Sequence, residues 1–188
     1  MLAYQGLIRR GELSEGMDVL INGGGGGVGA IALQLAKLKK CRVTGVDTGP
    51  KLERMKNWGL DRVIDYKQED FTKLKDKYDL ILDPKTTRGP WAHAQVLKKG
   101  GKYVTVGGTP GTLLRTFFFG RWVGRMTGTS IRILGVKPNH DLAEIEALIE
   151  KGQLKTTIDG PYPFEDIPKQ ITRFGAGEHH GKIVIKVI

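Results

Sequence analysis

The sequence predicts an α/β fold, a doubly wound parallel sheet with helices on both faces. Three observations carry this. Short apolar runs rich in Val, Ile and Leu recur along the chain, helical apolar periodicity lies between most of them, and glycines mark the junctions. Parallel strands need long crossover connections, and these helices supply them.

The first strand is Val19-Leu20-Ile21-Asn22, running into glycines. Val28, Ile31, Ala32, Leu35 and Leu38 then recur at three- and four-residue steps and predict an amphipathic helix. Arg42 to Asp47 reads as the second strand, and Lys51 to Trp58 as a helix that Gly59 ends in a left-handed conformation. Val63-Ile64 is a short third strand, Tyr78 to Leu82 the fourth, Lys102 to Val106 the fifth and Ile131 to Val136 the sixth. Helices are expected over Pro90 to Lys98 and Asp141 to Lys151. The segment between strands five and six is strongly apolar and basic, and Gly120 and Gly124 argue against one continuous helix there. From Gln153 the character changes: an extended piece at Thr156 to Ile158, a loop punctuated by Pro161 and Pro163, a helix over Asp166 to Phe174 and a last strand, Lys182 to Val187. These strands have no evident partners upstream. The expected division is therefore residues 1–152 as one domain and 153–188 as a return segment.

Composition narrows the function classes. With 188 residues, 39% hydrophobic and 27% charged, the chain is neither disordered nor collagenous, and it can bury one sizeable core. A single cysteine excludes an internal disulfide and a multi-thiolate zinc site. His93, His140, His179 and His180 do not have metalloprotease spacing. No apolar run is long enough to span a bilayer, and MLAYQGLIRR lacks the pattern of a secretory signal. A reducing, cytoplasmic setting is expected. The net charge of +10 sits in one stretch, because Pro84 to His140 holds no Asp or Glu and ten Lys and Arg. That stretch faces solvent or something anionic. It carries no nucleic-acid recognition motif, and nucleic acid is not the expected partner.

Gly24, Gly26 and Gly29 satisfy G-x-G-x-x-G between a strand and a helix, and Asp47 closes the next strand. In that context Gly24 permits the tight turn, Gly26 lets backbone approach a pyrophosphate, and Gly29 lets the helix lie close to the sheet. The free N–H groups and dipole at the helix start would hold the phosphates, and Asp47 would accept from the adenosine ribose. A turn that binds nothing is the bland alternative.

The sequence resembles the medium-chain dehydrogenase/reductase superfamily in its zinc-independent quinone oxidoreductase branch. The resemblance rests on Val19 to Gly23 with Gly26-Gly27-Val28-Gly29, on Val43 to Asp47, Gly59 to Tyr66, Tyr78 to Asp83, Gly100 to Gly108, Lys137-Pro138-Asn139 and Gly181 to Ile185. It implies a Rossmann sheet of order 3-2-1-4-5-6, a nicotinamide cofactor and a carbonyl, enone or quinone substrate reduced by hydride transfer. It places cofactor contacts on Gly25 to Val28, on Asp47 and the following residues to Lys51, on Tyr66, on Lys85 and Thr87, on Val106-Gly107-Gly108 and on Val136 and Lys137. NAD(H) is expected over NADP(H), because an ionised Asp47 repels a 2′-phosphate. Relatives begin with a GroES-like domain that this sequence lacks, and the return segment would complete it. No catalytic acid or base can be named. The expectation is a chain that binds cofactor with little turnover of its own, and the rival reading is a cofactor-binding or basic-surface interaction module. Cys41 stands alone and reads as an inert buried residue. Superfamily relatives commonly dimerise through strand six, so a homodimer through Ile131 to Val136 is expected. The apolar and basic segment Leu113 to Met126 reads as a helix packed on the sheet or a dimer contact, or else as a lid beside the substrate or a contact with anionic membrane.

Overall fold

The computed structural model describes residues 1–187. Six parallel strands form one sheet in the order β3-β2-β1-β4-β5-β6. They are β1 (Asp18–Asn22), β2 (Arg42–Asp47), β3 (Arg62–Asp65), β4 (Tyr78–Asp83), β5 (Leu97–Thr105) and β6 (Ser130–Ile133). Strand order reverses between β1 and β4, so the chain crosses from one half of the sheet to the other there, and a crevice opens beyond the strand ends.

Alternation within each strand feeds two cores. Val19 and Ile21 of β1, with Val43, Leu80, Leu82 and Val104, pack on one face. There they meet α1 (Leu2–Tyr4, continuing as π-helical turns Gln5–Arg10) and α2 (Gly27–Leu38). Met55 of α3 (Lys51–Asn57) and Ile145 and Leu148 of α6 (Leu142–Glu150) join the same core. Leu20, Val46, Ile64, Ile81, Tyr103 and Ile131 point the other way, toward Ala94 of α4 (Pro90–Ala94) and Val123 of α5 (Pro110–Thr127). A sheet buried on both faces explains why its strands read as unbroken apolar runs.

Several boundaries differ from expectation for physical reasons. The helix over 90–98 stops at Ala94, because Val96 and Leu97 are buried and β5 begins at Leu97. α5 is one continuous helix despite Gly120 and Gly124, since both face β6: a Cβ at Gly120 would lie 3.1 Å from Ile131 Cγ2, and one at Gly124 2.6 Å from the Thr129 carbonyl oxygen. The glycines let the helix lie on the strand rather than break it. β6 covers only Ser130–Ile133; Leu134 donates its N–H to the Thr105 oxygen, and Gly135 to Lys137 then leave the sheet exposed.

The return segment is a small βαβ unit: β7 (Ile158–Tyr162), α7 (Ile167–Gly175) and β8 (Lys182–Ile185), with β7 and β8 paired in parallel. Its strands are thus not unpartnered, and β7 runs through Pro161, where a loop was expected. Asp159 holds the unit together, accepting from the Tyr162 hydroxyl, from Arg173 at 2.9 Å and from the His180 N–H at 2.7 Å. Ile158 and Phe164 are exposed, while Ile183 and Ile185 are half-buried. Leu154 is buried in the core of the main sheet, and Gln34 makes a two-way hydrogen bond with the Lys155 backbone.

Candidate functional site

β1 ends at Asn22, and Gly23 turns with φ +82°, a conformation L side chains rarely adopt. Gly24 is packed: a Cβ there would lie 2.8 Å from Met55 Cε and 3.2 Å from Gly45 Cα. Gly25 is packed too, against the Lys51 side chain at 2.8 Å and Asp47 Oδ2 at 3.0 Å. A Cβ at Gly29 would meet the Gly23 and Gly24 carbonyl oxygens at 2.5 Å, so this glycine lets α2 close onto the turn. Gly26 differs from all of these. It is the N-cap of α2, with extended backbone (φ −92°, ψ 177°) open to any residue, and a Cβ would meet nothing nearer than the Gly23 oxygen at 3.5 Å. Neither backbone nor packing demands glycine there.

Asp47, at the end of β2, is buried and already engaged. Its Oδ2 accepts from the Gly25 N–H at 2.9 Å and its Oδ1 from the Thr48 N–H at 3.0 Å. Lys51 Nζ lies 3.9 Å from Oδ1 and is itself buried. Burial pushes the Lys51 ammonium below its usual range, and the Asp47 carboxylate opposes that. Tyr66 follows β3, donates its backbone N–H to the Asp47 oxygen at 3.0 Å and keeps its ring half exposed. A cavity of about 220 Å³ opens between these strand ends. The expected residues Asp47, Tyr66, Lys85 and Thr87 line it together; Asn22, Asp70 and Arg88 line it too and were not singled out from the sequence.

Beneath the crevice lies a buried polar cluster. Asp83, at the end of β4, accepts from Asn22 Nδ2 at 2.8 Å, the Lys85 N–H at 2.9 Å and the Tyr103 hydroxyl at 2.9 Å. Burial nevertheless pushes its carboxyl above the usual range, those donors opposing the shift only in part. Asp83 and Lys85 form no side-chain ion pair; the contact is to the Lys85 backbone. His93 stacks on Tyr103 with ring centroids 4.0 Å apart, and its Nε2 lies 3.7 Å from Asp83, beyond hydrogen-bond reach. Neither ring nitrogen has a hydrogen-bond partner among the described residues, and burial lowers its pKa to about 4.

After β5, Val106 and Gly107 are half-buried and Gly108 is exposed. A Cβ at Gly107 would lie 3.0 Å from the Pro84 oxygen, and Gly108 forms a lone parallel bridge with Thr86. Val136 and Lys137 do not reach the cavity of Asp47. They lie exposed beyond β6, with the Lys137 backbone held in both directions by the Gln5 side chain. Cys41 is buried, donates its thiol to the Ser14 oxygen at 3.3 Å and has that thiol pushed up by burial.

The return segment reaches this site, which sequence reasoning missed. Gly181 bridges to Gly26, and its carbonyl oxygen would lie 3.1 Å from a Cβ at Gly27, beside the first turn of α2, while the Cβ direction of Gly26 stays open. His179 stacks on Phe174 with centroids 4.6 Å apart. Its pKa is lowered by burial and then by the Lys51 and Lys85 charges. Among the described residues no three His, Cys, Asp or Glu side chains gather as a metal site.

Strand order, switch-point crevice and glycine turn define a Rossmann-type α/β domain. The family model for zinc-binding dehydrogenases matches residues 58–185, and the chain belongs to that family, within the medium-chain dehydrogenase/reductase superfamily. It is 32% identical to 2-methylene-furan-3-one reductase of Solanum lycopersicum, over 99% of this chain and 44% of that protein. It is 30% identical to the chloroplastic NADPH-dependent alkenal/one oxidoreductase of Arabidopsis thaliana, over 97% of this chain and 44% of that one. The structure of a quinone oxidoreductase from Coxiella burnetii superposes with a TM-score of 0.81 at 26% identity, covering all of this chain and 57% of the other. The chain spans about half the length of the curated relatives it matches.

Proposed function

We propose that this chain is the cofactor-holding part of a nicotinamide-dependent oxidoreductase that reduces enones, quinones or related carbonyl compounds. The observation that carries the reading is Gly26, a glycine that neither backbone nor packing requires and whose Cβ direction stays open at the N-cap of α2, although Gly181 bridges to it. A pyrophosphate would rest on the backbone of Gly26 to Val28, favoured by the helix dipole. Asp47 would accept from the adenosine ribose, with Tyr66 beside the adenine and Lys85, Thr87 and Val106 to Gly108 along the dinucleotide. Val136 and Lys137 belong to the proposal only as the far end of the crevice. The nicotinamide, when bound, supplies the hydride; this chain binds it, orients it and keeps water from one side of it.

Asp47 favours NAD(H), since a 2′-phosphate would approach its carboxylate; Lys51 softens that preference, and the NADPH-dependent relative marks the rival outcome. The reaction is proposed without zinc, on the donor chemistry of the described residues. Residues 1–152 would form the cofactor domain and 153–188 a return segment that packs over it. A reducing compartment such as the cytoplasm suits the single buried thiol. Self-association through the free edge of β6 is part of the same proposal.

The test is calorimetric titration of the chain with NADH and NADPH, together with NAD(P)H oxidation in the presence of a panel of quinones and enones. Binding at micromolar to submillimolar cofactor is expected, with little turnover by this chain alone. Failure to bind either dinucleotide would refute the assignment, and robust turnover would refute the division of labour.

A further inference from the structure

The outer face of α5 plays no part in the proposed site, and two independent features set it apart. Leu114, Phe117, Phe118, Phe119, Trp122 and Met126 project from it with between 53% and 70% of their surface exposed. Thr116, Gly120, Val123 and Gly124 fill the inner face against the sheet. At about 100° per residue, Arg121, Leu114, Arg125, Phe118, Trp122 and Arg115 follow one another around the outer half, so cations and aromatic rings interleave. Scattered exposed apolar residues need no explanation, but this many large ones on one helix do.

The second feature is charge. Of the eleven arginines in the sequence, Arg9, Arg42, Arg62, Arg88 and Arg173 have a carboxylate within 4.0 Å. Five of the six without one among the described residues are Arg10, Arg115, Arg121, Arg125 and Arg132. Arg115, Arg121 and Arg125 stand on α5, and Arg10, Arg121, Arg125 and Arg132 line a groove between α5 and β6. No acidic residue lies between Pro84 and His140 to answer them.

We propose that α5 docks on the surface of an anionic lipid bilayer, with Phe118, Trp122 and Leu114 in the acyl boundary and the arginines on lipid phosphates. Aromatic side chains settle at that interface, guanidinium groups pair with phosphate in bidentate fashion, and the helix lies in the plane. No helix among the described residues is long and apolar enough to cross a membrane, which fits docking rather than spanning. A second copy seated face to face on α5 fits less well, because it would set arginine against arginine without a carboxylate on either side. An anionic sheet of phosphates answers the charge and its apolar interior answers the rings.

The test is co-sedimentation of the full chain with vesicles of phosphatidylcholine alone or containing about a third phosphatidylserine. Binding is expected to the anionic vesicles only, weakening as salt rises. Arg121→Gln with Arg125→Gln should lower the partition coefficient roughly thirtyfold, from the contribution of two basic residues near a charged surface. Phe118→Ser with Leu114→Ser, both exposed positions outside the buried cores, should abolish binding while the thermal transition stays in place; Trp122 is left intact because its ring meets Trp91 edge-on. Absence of binding to anionic vesicles at low salt would overturn the proposal, as would equal binding to neutral ones. So would parent-like binding by both double variants, or a salt-resistant dimer in which Trp122 is buried.

Discussion

Two glycines three residues apart should respond in opposite ways to substitution. In Gly26→Val the new Cβ meets only the Gly23 oxygen, at an ordinary 3.5 Å, and the extended backbone accepts valine. The thermal transition should stay close to that of the parent. The side chain would, however, occupy the open space beside the Gly26 backbone where the proposed site puts a pyrophosphate. Losing two charge-assisted hydrogen bonds at about 1.5–3 kcal/mol each removes about 3–6 kcal/mol, or roughly two to four orders of magnitude in Kd. In Gly29→Ala the Cβ would lie 2.5 Å from two backbone carbonyl oxygens that no rotamer change can move. Overpacking of that kind costs about 3 kcal/mol, helix propensity returns about 1, and a net of about 2 lowers Tm by roughly 4–8 °C in a chain of this size. Differential scanning calorimetry and cofactor titration on the two variants separate the effects. If Gly26→Val bound dinucleotide like the parent, or melted like Gly29→Ala, the turn would be structural and the site assignment wrong.

Three further outcomes follow from the same geometry. On the proposed site, Asp47→Ala removes the charge that would face a 2′-phosphate, so the ratio of NADPH to NADH affinity should rise at least tenfold in paired titrations; an unchanged ratio would count against Asp47 as the discriminator. His93 titrates at about 4 in the fold against 6.5 when unperturbed, so its contribution to stability is present above pH 6.5 and is lost as pH falls toward 4. That difference is worth about 3 kcal/mol, and His93→Phe should lack this acid loss in thermal melts; parallel losses in parent and variant would refute it. The free edge of β6 should pair with a second copy at tens of micromolar. Because Arg132 sits on that edge, the association should tighten as salt screens it, the reverse of the membrane contact; a strictly monomeric sedimentation profile would contradict it.

Much of the main sheet is legible in the sequence because a parallel strand buried on both faces has no choice but to be apolar throughout. Val19 to Ile21, Val43 to Val46 and Leu80 to Leu82 could hardly be anything else. What was not legible depends on tertiary direction. Gly120 and Gly124 look like helix breakers until β6 is laid against them, and Leu97 looks helical until the core beneath Tyr78 claims it. The strands of the return segment seemed unpartnered because their parallel pairing, across α7, cannot be read from the local pattern. At the candidate site, Asp47, Tyr66, Lys85 and Thr87 were reachable from strand ends and resemblance. Asn22 and Arg88 obey the same strand-end rule and could have been found by applying it to every strand. His179 and Gly181 could not, since nothing in their local sequence says that the segment folds back over α2.

The polar cluster under the crevice explains why the strand ends can hold a defined shape at all. A buried carboxyl whose pKa is raised destabilises the fold at neutral pH, and a buried histidine without a partner costs as well. An apolar core at the same place would be cheaper. What Asp83 provides instead is three fixed directions: to Asn22 on β1, to the backbone of the Lys85 loop and to Tyr103 on β5. These link the two halves of the sheet where strand order reverses, and they set the loop carrying Lys85, Thr87 and Arg88 against the cavity of Asp47 and Tyr66. Stability is given up at the point where a ligand would need preorganised walls, which is where a binding crevice gains most from rigidity and a purely structural turn gains nothing.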